Sequence, residues 1–136
     1  MSLTERVLMS LNRRLHILVA EDNPVNQCVA KRMLEKLGHT WVMASNGQEA
    51  LLAVASEAFD LILMDIQMPE MDGLQATRRI REQEQNGGGH RRIVAVTANS
   101  LPGDREQILK SGMDDYVAKP VRIDDLARAI DVAMRG

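Results

Sequence analysis

Leu61-Ile62-Leu63-Met64-Asp65 is a short apolar run that ends abruptly in a carboxylate. Three other stretches repeat the arrangement. Leu15-His16-Ile17-Leu18-Val19-Ala20 runs into Glu21-Asp22, Ile93-Val94-Ala95-Val96 into Thr97, and Tyr116-Val117-Ala118 into Lys119-Pro120. Short buried runs separated by helical stretches imply parallel strands, whose carboxyl ends share one edge of a sheet. Open α/β sheets hold their ligands along that edge. One rim then gathers three carboxylates, a hydroxyl and an amine.

The segments between these runs carry helix signals. Asn23-Pro24 fits a helix start, with Asn as the cap and Pro at the first helical position. Val25, Val29, Met33 and Leu37 follow at four-residue spacing and read as a buried stripe, which Gly38 brings to a stop. Thr40-Trp41-Val42-Met43-Ala44 is a further strand. Asn46-Gly47-Gln48-Glu49 then resembles a capping arrangement ahead of a helix that buries Ala50, Leu51, Val54 and Ala55. Asp72-Gly73 opens a third helix, and Gly87-Gly88-Gly89 closes it. A fourth helix begins near Pro102 and stops at Gly112. The last helix shows the clearest amphipathic pattern, with Ile123, Leu126, Ala127, Ile130, Ala133 and Met134 on one face. The pattern predicts an α/β protein of five strands and five helices, (βα)5. Residues 15–136 form the domain. Residues 1–14 stand outside the alternation and read as a linker or tail, since so short a helix is marginal alone.

Composition narrows the function classes. A chain of 136 residues with 45% hydrophobic and 26% charged residues suits one soluble domain. Aromatics are scarce (Trp41, Phe59 and Tyr116), so aliphatic residues and Met fill the core. A net charge of −2 offers no basic face for nucleic acid. The lone Cys28 cannot form an internal disulfide and fits a reducing cytoplasm. Cys28 and the methionines read as core. No apolar stretch reaches the roughly 18 residues of a membrane span, and no signal-peptide pattern opens the chain. Neither nucleic acid nor direct membrane contact is expected.

Asp65 is the first candidate for chemistry. A carboxylate can attack phosphorus and form an aspartyl phosphate, but its charge repels the incoming phosphoryl group. Mg²⁺, with Mn²⁺ as a substitute, relieves that repulsion and favours a few carboxylate oxygens. Asp22, Asp65 and the backbone carbonyl of Gln67 are the expected direct ligands, with Glu21 acting through a bound water. Alone, Glu21-Asp22 would only open a helix. Its coincidence with Asp65 gives it meaning. Lys119 would set an ammonium against a phosphoryl oxygen or against Asp65, and Lys119-Pro120 is a candidate cis peptide. The Thr97 hydroxyl and the backbone N–H groups of Ile66 and Ala98 are expected phosphoryl donors. Tyr116 is either half-exposed core or a ring that swings inward. His16, His39 and His90 lie in unrelated segments and suggest no metal site.

Taken together, Glu21-Asp22, Met64-Asp65-Ile66-Gln67-Met68-Pro69 with Asp72-Gly73, Val96-Thr97-Ala98 and Tyr116 through Lys119-Pro120 resemble the receiver domain of two-component response regulators. The resemblance covers nearly all of residues 15–135. It implies a doubly wound, CheY-like fold with strand order 2-1-3-4-5. It further implies Mg²⁺-dependent phosphotransfer from a phosphohistidine, on a histidine kinase or phosphotransfer domain, to Asp65, catalysed largely by the receiver itself. Glu21 and Asp22 would be the acidic pair, Thr97 and Lys119 the switch hydroxyl and lysine, and Tyr116 the switch aromatic. The pair here is Glu-Asp where many relatives have Asp-Asp. The wording of residues 20–26 and 65–73 is similar to receivers fused to hybrid sensor kinases, and a free-standing regulator is the second origin considered.

Phosphorylation would draw Thr97 inward and let Tyr116 fill the vacated space. The face of the fourth helix, fifth strand and fifth helix would then change for a partner, or for a second copy in a homodimer. Gln67 and Asn99 would tune the lifetime of the phosphorylated state. A phosphatase of the haloacid-dehalogenase type is disfavoured because it needs an acid where Gln67 stands. A flavin binder is disfavoured by the acidic pair, and a nucleotide P-loop is absent. A binding module that never carries phosphate is disfavoured by Asp65, Thr97 and Lys119 together.

Overall fold

The computed structural model describes Ser2, residues 14–98 and residues 102–135. The linker reading of residues 1–14 therefore falls almost entirely outside the described residues, as does Asn99. Strands and helices alternate as β1 (His16–Ala20), α1 (Pro24–Lys36), β2 (Thr40–Ala44), α2 (Gly47–Ser56), β3 (Leu61–Asp65), α3 (Gly73–Gly87), β4 (Ile93–Thr97), α4 (Pro102–Lys110), β5 (Asp115–Ala118) and α5 (Ile123–Arg135). The strands form one parallel sheet in the order β2-β1-β3-β4-β5. This is the predicted (βα)5 arrangement.

Side chains alternate across each strand, so every central strand feeds two cores. Leu18, Ile62, Met64, Ile93 and Ala95 pack on one face with Ala50 and Val54 of α2, Ala76 and Ile80 of α3, and Ile108 of α4. Ile17, Val19, Leu61, Leu63, Val94 and Val117 pack on the other with Leu34 of α1 and Leu126, Ala129, Ile130 and Ala133 of α5. Covering both faces explains why the strands read as continuous apolar runs.

The helix starts follow local chemistry. Asn23 Oδ1 accepts from the Val25 and Asn26 N–H groups, with Pro24 at the first helical position. Asn46 Oδ1 accepts from Glu49 N–H at 2.8 Å. Asp72 and Gln75 form a reciprocal capping box. Gly38, Gly88 and Gly112 take positive φ where chains leave helices.

Three expected faces need correction. In α1, Val25 and Val29 are 70% and 41% exposed, while Leu34 and Leu37 are buried and Ala30 and Met33 pack beside them. A step of four residues overshoots a helical turn, so a strict four-residue ladder winds away from the core. Ala30, Met33, Leu34 and Leu37 have the three-and-four spacing that stays on one side. Cys28 is exposed on the outer side of the same helix rather than in the core. In α2, Ala55 is exposed, while in α5 Ala129 joins the buried face.

Away from the rim, Arg81 ties the far end of α3 to the strands. Its guanidinium donates to Glu84, Asp114 and the carbonyls of Gly112 and Arg91. Asp114 in turn accepts from Ile93 N–H and pairs with His90.

Candidate functional site

Strand order decides which side chains meet. β1 and β4 flank β3, so Glu21, Asp65 and Thr97 leave the sheet side by side, and Lys119 follows from β5. Asp65 is buried at 2% exposure, and Glu21 at 5%. Asp22 is exposed. Each of these three residues offers a carboxylate oxygen within 4.8 Å of the others. Three hard oxygen donors from carboxylates suit a divalent cation of the Mg²⁺ or Ca²⁺ kind.

Lys119 reaches back over this cluster. Its Nζ donates to Asp65 Oδ2 at 2.9 Å and lies 3.5 Å from Glu21 Oε2. Burial alone would lower its pKa. The hydrogen bond and charge of Asp65, with Glu21 behind it, outweigh burial and hold the ammonium above the ordinary lysine value. Lys119 therefore stays charged at neutral pH. The Lys119-Pro120 bond is cis, and Lys119 N–H donates to the Thr97 carbonyl at 2.8 Å.

The remaining expected groups lie around the cluster. Thr97 is buried at the end of β4, and Ala98 is exposed just beyond it. Tyr116 packs against the α2–α3 core with the Arg105 guanidinium 6.0 Å over its ring. Gln67 N–H donates to Asp65 Oδ1 at 3.1 Å. Ile66 N–H is engaged with the Val96 carbonyl at 3.2 Å. The backbone between Asp65 and α3 turns tightly. Gly73 N–H donates to the Ile66 carbonyl, Met71 N–H to that of Pro69, and Glu70 takes a φ of 69°. Such positive φ in a residue with a side chain carries strain, which gathers at functional loops.

Sequence reasoning missed the groups that hold Glu21. Asn23 N–H and Asn26 Nδ2 both donate to its Oε1, at 3.1 and 3.3 Å. Gln27 Nε2 donates to its backbone carbonyl at 2.6 Å. The signal was present in Asn26 and Gln27, two amides one helical turn past an acidic pair. Beside these residues an apolar pocket of about 140 Å³ opens between α1 and the start of α5, lined by Val29, Val96, Val117, Pro120, Val121 and Leu126.

A lysine thus lies among carboxylates at the carboxyl ends of the strands. That is the edge where doubly wound α/β proteins bind their ligands. Residues 17–131 match the model of the response regulator receiver domain, and the chain belongs to that family. It is 50% identical over 110 residues to hybrid signal transduction histidine kinase I of Dictyostelium discoideum, covering 77% of this chain and 6% of that protein. The chain thus spans a small fraction of that kinase. Among solved structures, it is similar to the receiver domain of sensor histidine kinase PA1611 from Pseudomonas aeruginosa, which has magnesium coordinated in its active-site cleft. That match has 41% identity and a TM-score of 0.81, covering 91% of this chain and all of the other. It also resembles a chain of the co-crystal of Saccharomyces cerevisiae phosphotransfer protein Ypd1 with the receiver domain of Ssk1. There the identity is 34% and the TM-score 0.82, with 86% of each chain covered. The protein is a receiver domain of two-component signalling. Among the described residues no helix is long and apolar enough to cross a membrane.

Proposed function

We propose that Asp65 accepts a phosphoryl group from the phosphohistidine of a kinase or histidine phosphotransfer domain. The observation that carries this reading is the buried Asp65 carboxylate, held between the Lys119 ammonium and two further carboxylates at the sheet's carboxyl edge. One Asp65 oxygen attacks phosphorus. The P–N bond breaks as the P–O bond forms, and the imidazole leaves with its electron pair and takes up a proton. Glu21, Asp22, Asp65 and the Gln67 carbonyl would hold Mg²⁺, which would supply charge neutralisation between the carboxylate and the incoming phosphoryl oxygens.

The chain's own groups do the rest. Lys119 exchanges its bond to Asp65 for a phosphoryl oxygen, and the Thr97 hydroxyl and Ala98 N–H approach the same group. Tyr116, already on the core edge, follows Thr97. The α4, β5 and α5 face carries a groove of about 370 Å³ with Arg105, Tyr116, Asp125 and Arg128 in its lining. That face would report the phosphorylated state to a partner or to a second copy. Val25 and Val29, exposed on α1 next to the rim, give the donor an apolar landing surface. Residues 15–136 would be the receiver unit of a hybrid sensor kinase working in the cytoplasm, in keeping with the kinase relatives. Gln67 and Asn99 would set the rate of hydrolysis.

Intact mass after incubation with acetyl phosphate tests the core of this reading. Wild type gains one phosphoryl group in the presence of Mg²⁺. Chelation of the metal, or Asp65→Asn, abolishes the gain. A folded wild-type protein that gains no mass under any condition would overturn it.

A further inference from the structure

We infer that Asn26 is a positioning residue for Glu21, and through Glu21 sets the affinity of the rim for its divalent cation. This inference rests on the reading of the rim as a Mg²⁺ site. Glutamate has one more rotatable bond than aspartate, so at the first position of the acidic pair its carboxylate must be restrained to serve a fixed site. Asn23 N–H and Asn26 Nδ2 restrain it by donating to the same oxygen, Oε1. Oε2 is left facing Lys119 Nζ at 3.5 Å and, beyond it, Asp65. Gln27 fixes the other end of the residue, with its Nε2 on the Glu21 carbonyl and 3.4 Å from Ser45 Oγ at the end of β2.

The two donors to Oε1 are not equivalent. Asn23 N–H belongs to the backbone of the helix cap and accompanies any sequence that caps here. Asn26 Nδ2 is a side-chain donor, one turn into α1 on an exposed position. Among the described residues its side chain is bonded to Glu21 alone. Groups that orient metal-binding carboxylates from behind typically change metal affinity by about tenfold or more when removed. Because Asn26 acts through Glu21, its effect disappears when Glu21 no longer carries a carboxylate.

Titration calorimetry with MgCl₂ at constant ionic strength tests this on wild type, Asn26→Ala, Glu21→Gln and the double variant. Alanine at an exposed helical position favours the helix, so the variant folds. Asn26→Ala should raise the Mg²⁺ dissociation constant about tenfold, with no further rise from the same change in the Glu21→Gln background. Phosphorylation by acetyl phosphate should then need more Mg²⁺ but reach the wild-type rate at saturation. Unchanged Mg²⁺ affinity in Asn26→Ala, or an equal loss in both backgrounds, overturns the inference while leaving the cation site standing. A wild type that binds no Mg²⁺ overturns both.

Discussion

Asp65 and Thr77 show two ways of burying a polar group. Asp65 is nearly inaccessible, yet its Oδ1 accepts from Gln67 N–H and its Oδ2 from Lys119 Nζ. Removing Lys119 would leave Asp65 and Glu21 facing each other without a cation, which is costly for buried charges. Thr77 on α3 is fully buried, and its Oγ1 is the buried side-chain polar atom that lacks a partner among the described residues. An unpaired buried hydroxyl costs about 1–3 kcal/mol. Thr77→Val keeps the shape and removes that cost, so it should stabilise the fold by about 1 kcal/mol. Urea denaturation would show a higher midpoint at unchanged slope. A lower midpoint would mean that the methyl group does not fit.

At the scale of elements, α3 has to come very close to β3. A Cβ on Gly73 would lie 2.3 Å from the Asp65 carbonyl oxygen and 2.9 Å from Ile66 Cα. Both are backbone atoms and cannot swing aside. Gly73→Ala should therefore cost about 1–3 kcal/mol and displace Asp65 itself, slowing its phosphorylation. Gly87 at the other end of α3 has nothing within 4 Å of such a Cβ. Gly87→Ala should be neutral or stabilise by about 0.4–1 kcal/mol. Thermal unfolding should place Gly73→Ala below wild type and Gly87→Ala level with it or above it. The Asp-Gly pair at residues 72–73 announced the helix start in sequence. The close approach was not legible there, because it depends on how the loop after Asp65 folds back. The same limit applies to α1. Its cap was readable from Asn23-Pro24, whereas which valines faced the core depended on where the helix met the sheet.

Across the whole molecule, the doubly wound order sends the chemistry to one edge of the sheet and leaves structural polar groups at the other. The reactive strand ends could be read from sequence because each follows an uninterrupted apolar run. The opposite edge could not, since its partners come from distant segments. His39 is the clearest case. It is buried at 4% exposure, and its Nδ1 accepts from Leu15 N–H at 3.1 Å, which requires the neutral ring. Burial pushes its pKa below the ordinary value of 6.5, with the Asp60 charge opposing in part. The unfolded chain thus takes up this proton at higher pH than the folded one. The contribution of neutral His39 is complete above that ordinary value and is lost as pH falls through it toward the folded value, with a limiting slope of about 1.4 kcal/mol per pH unit. Between about pH 7.5 and about pH 5.5, a range spanning the ordinary histidine value, wild type should lose stability faster than His39→Gln, which has no proton to gain. Urea titrations of both proteins across that range would show their difference in unfolding free energy changing with pH. A constant difference would mean that His39 binds its proton equally well in the folded and unfolded chain, and would sink the prediction.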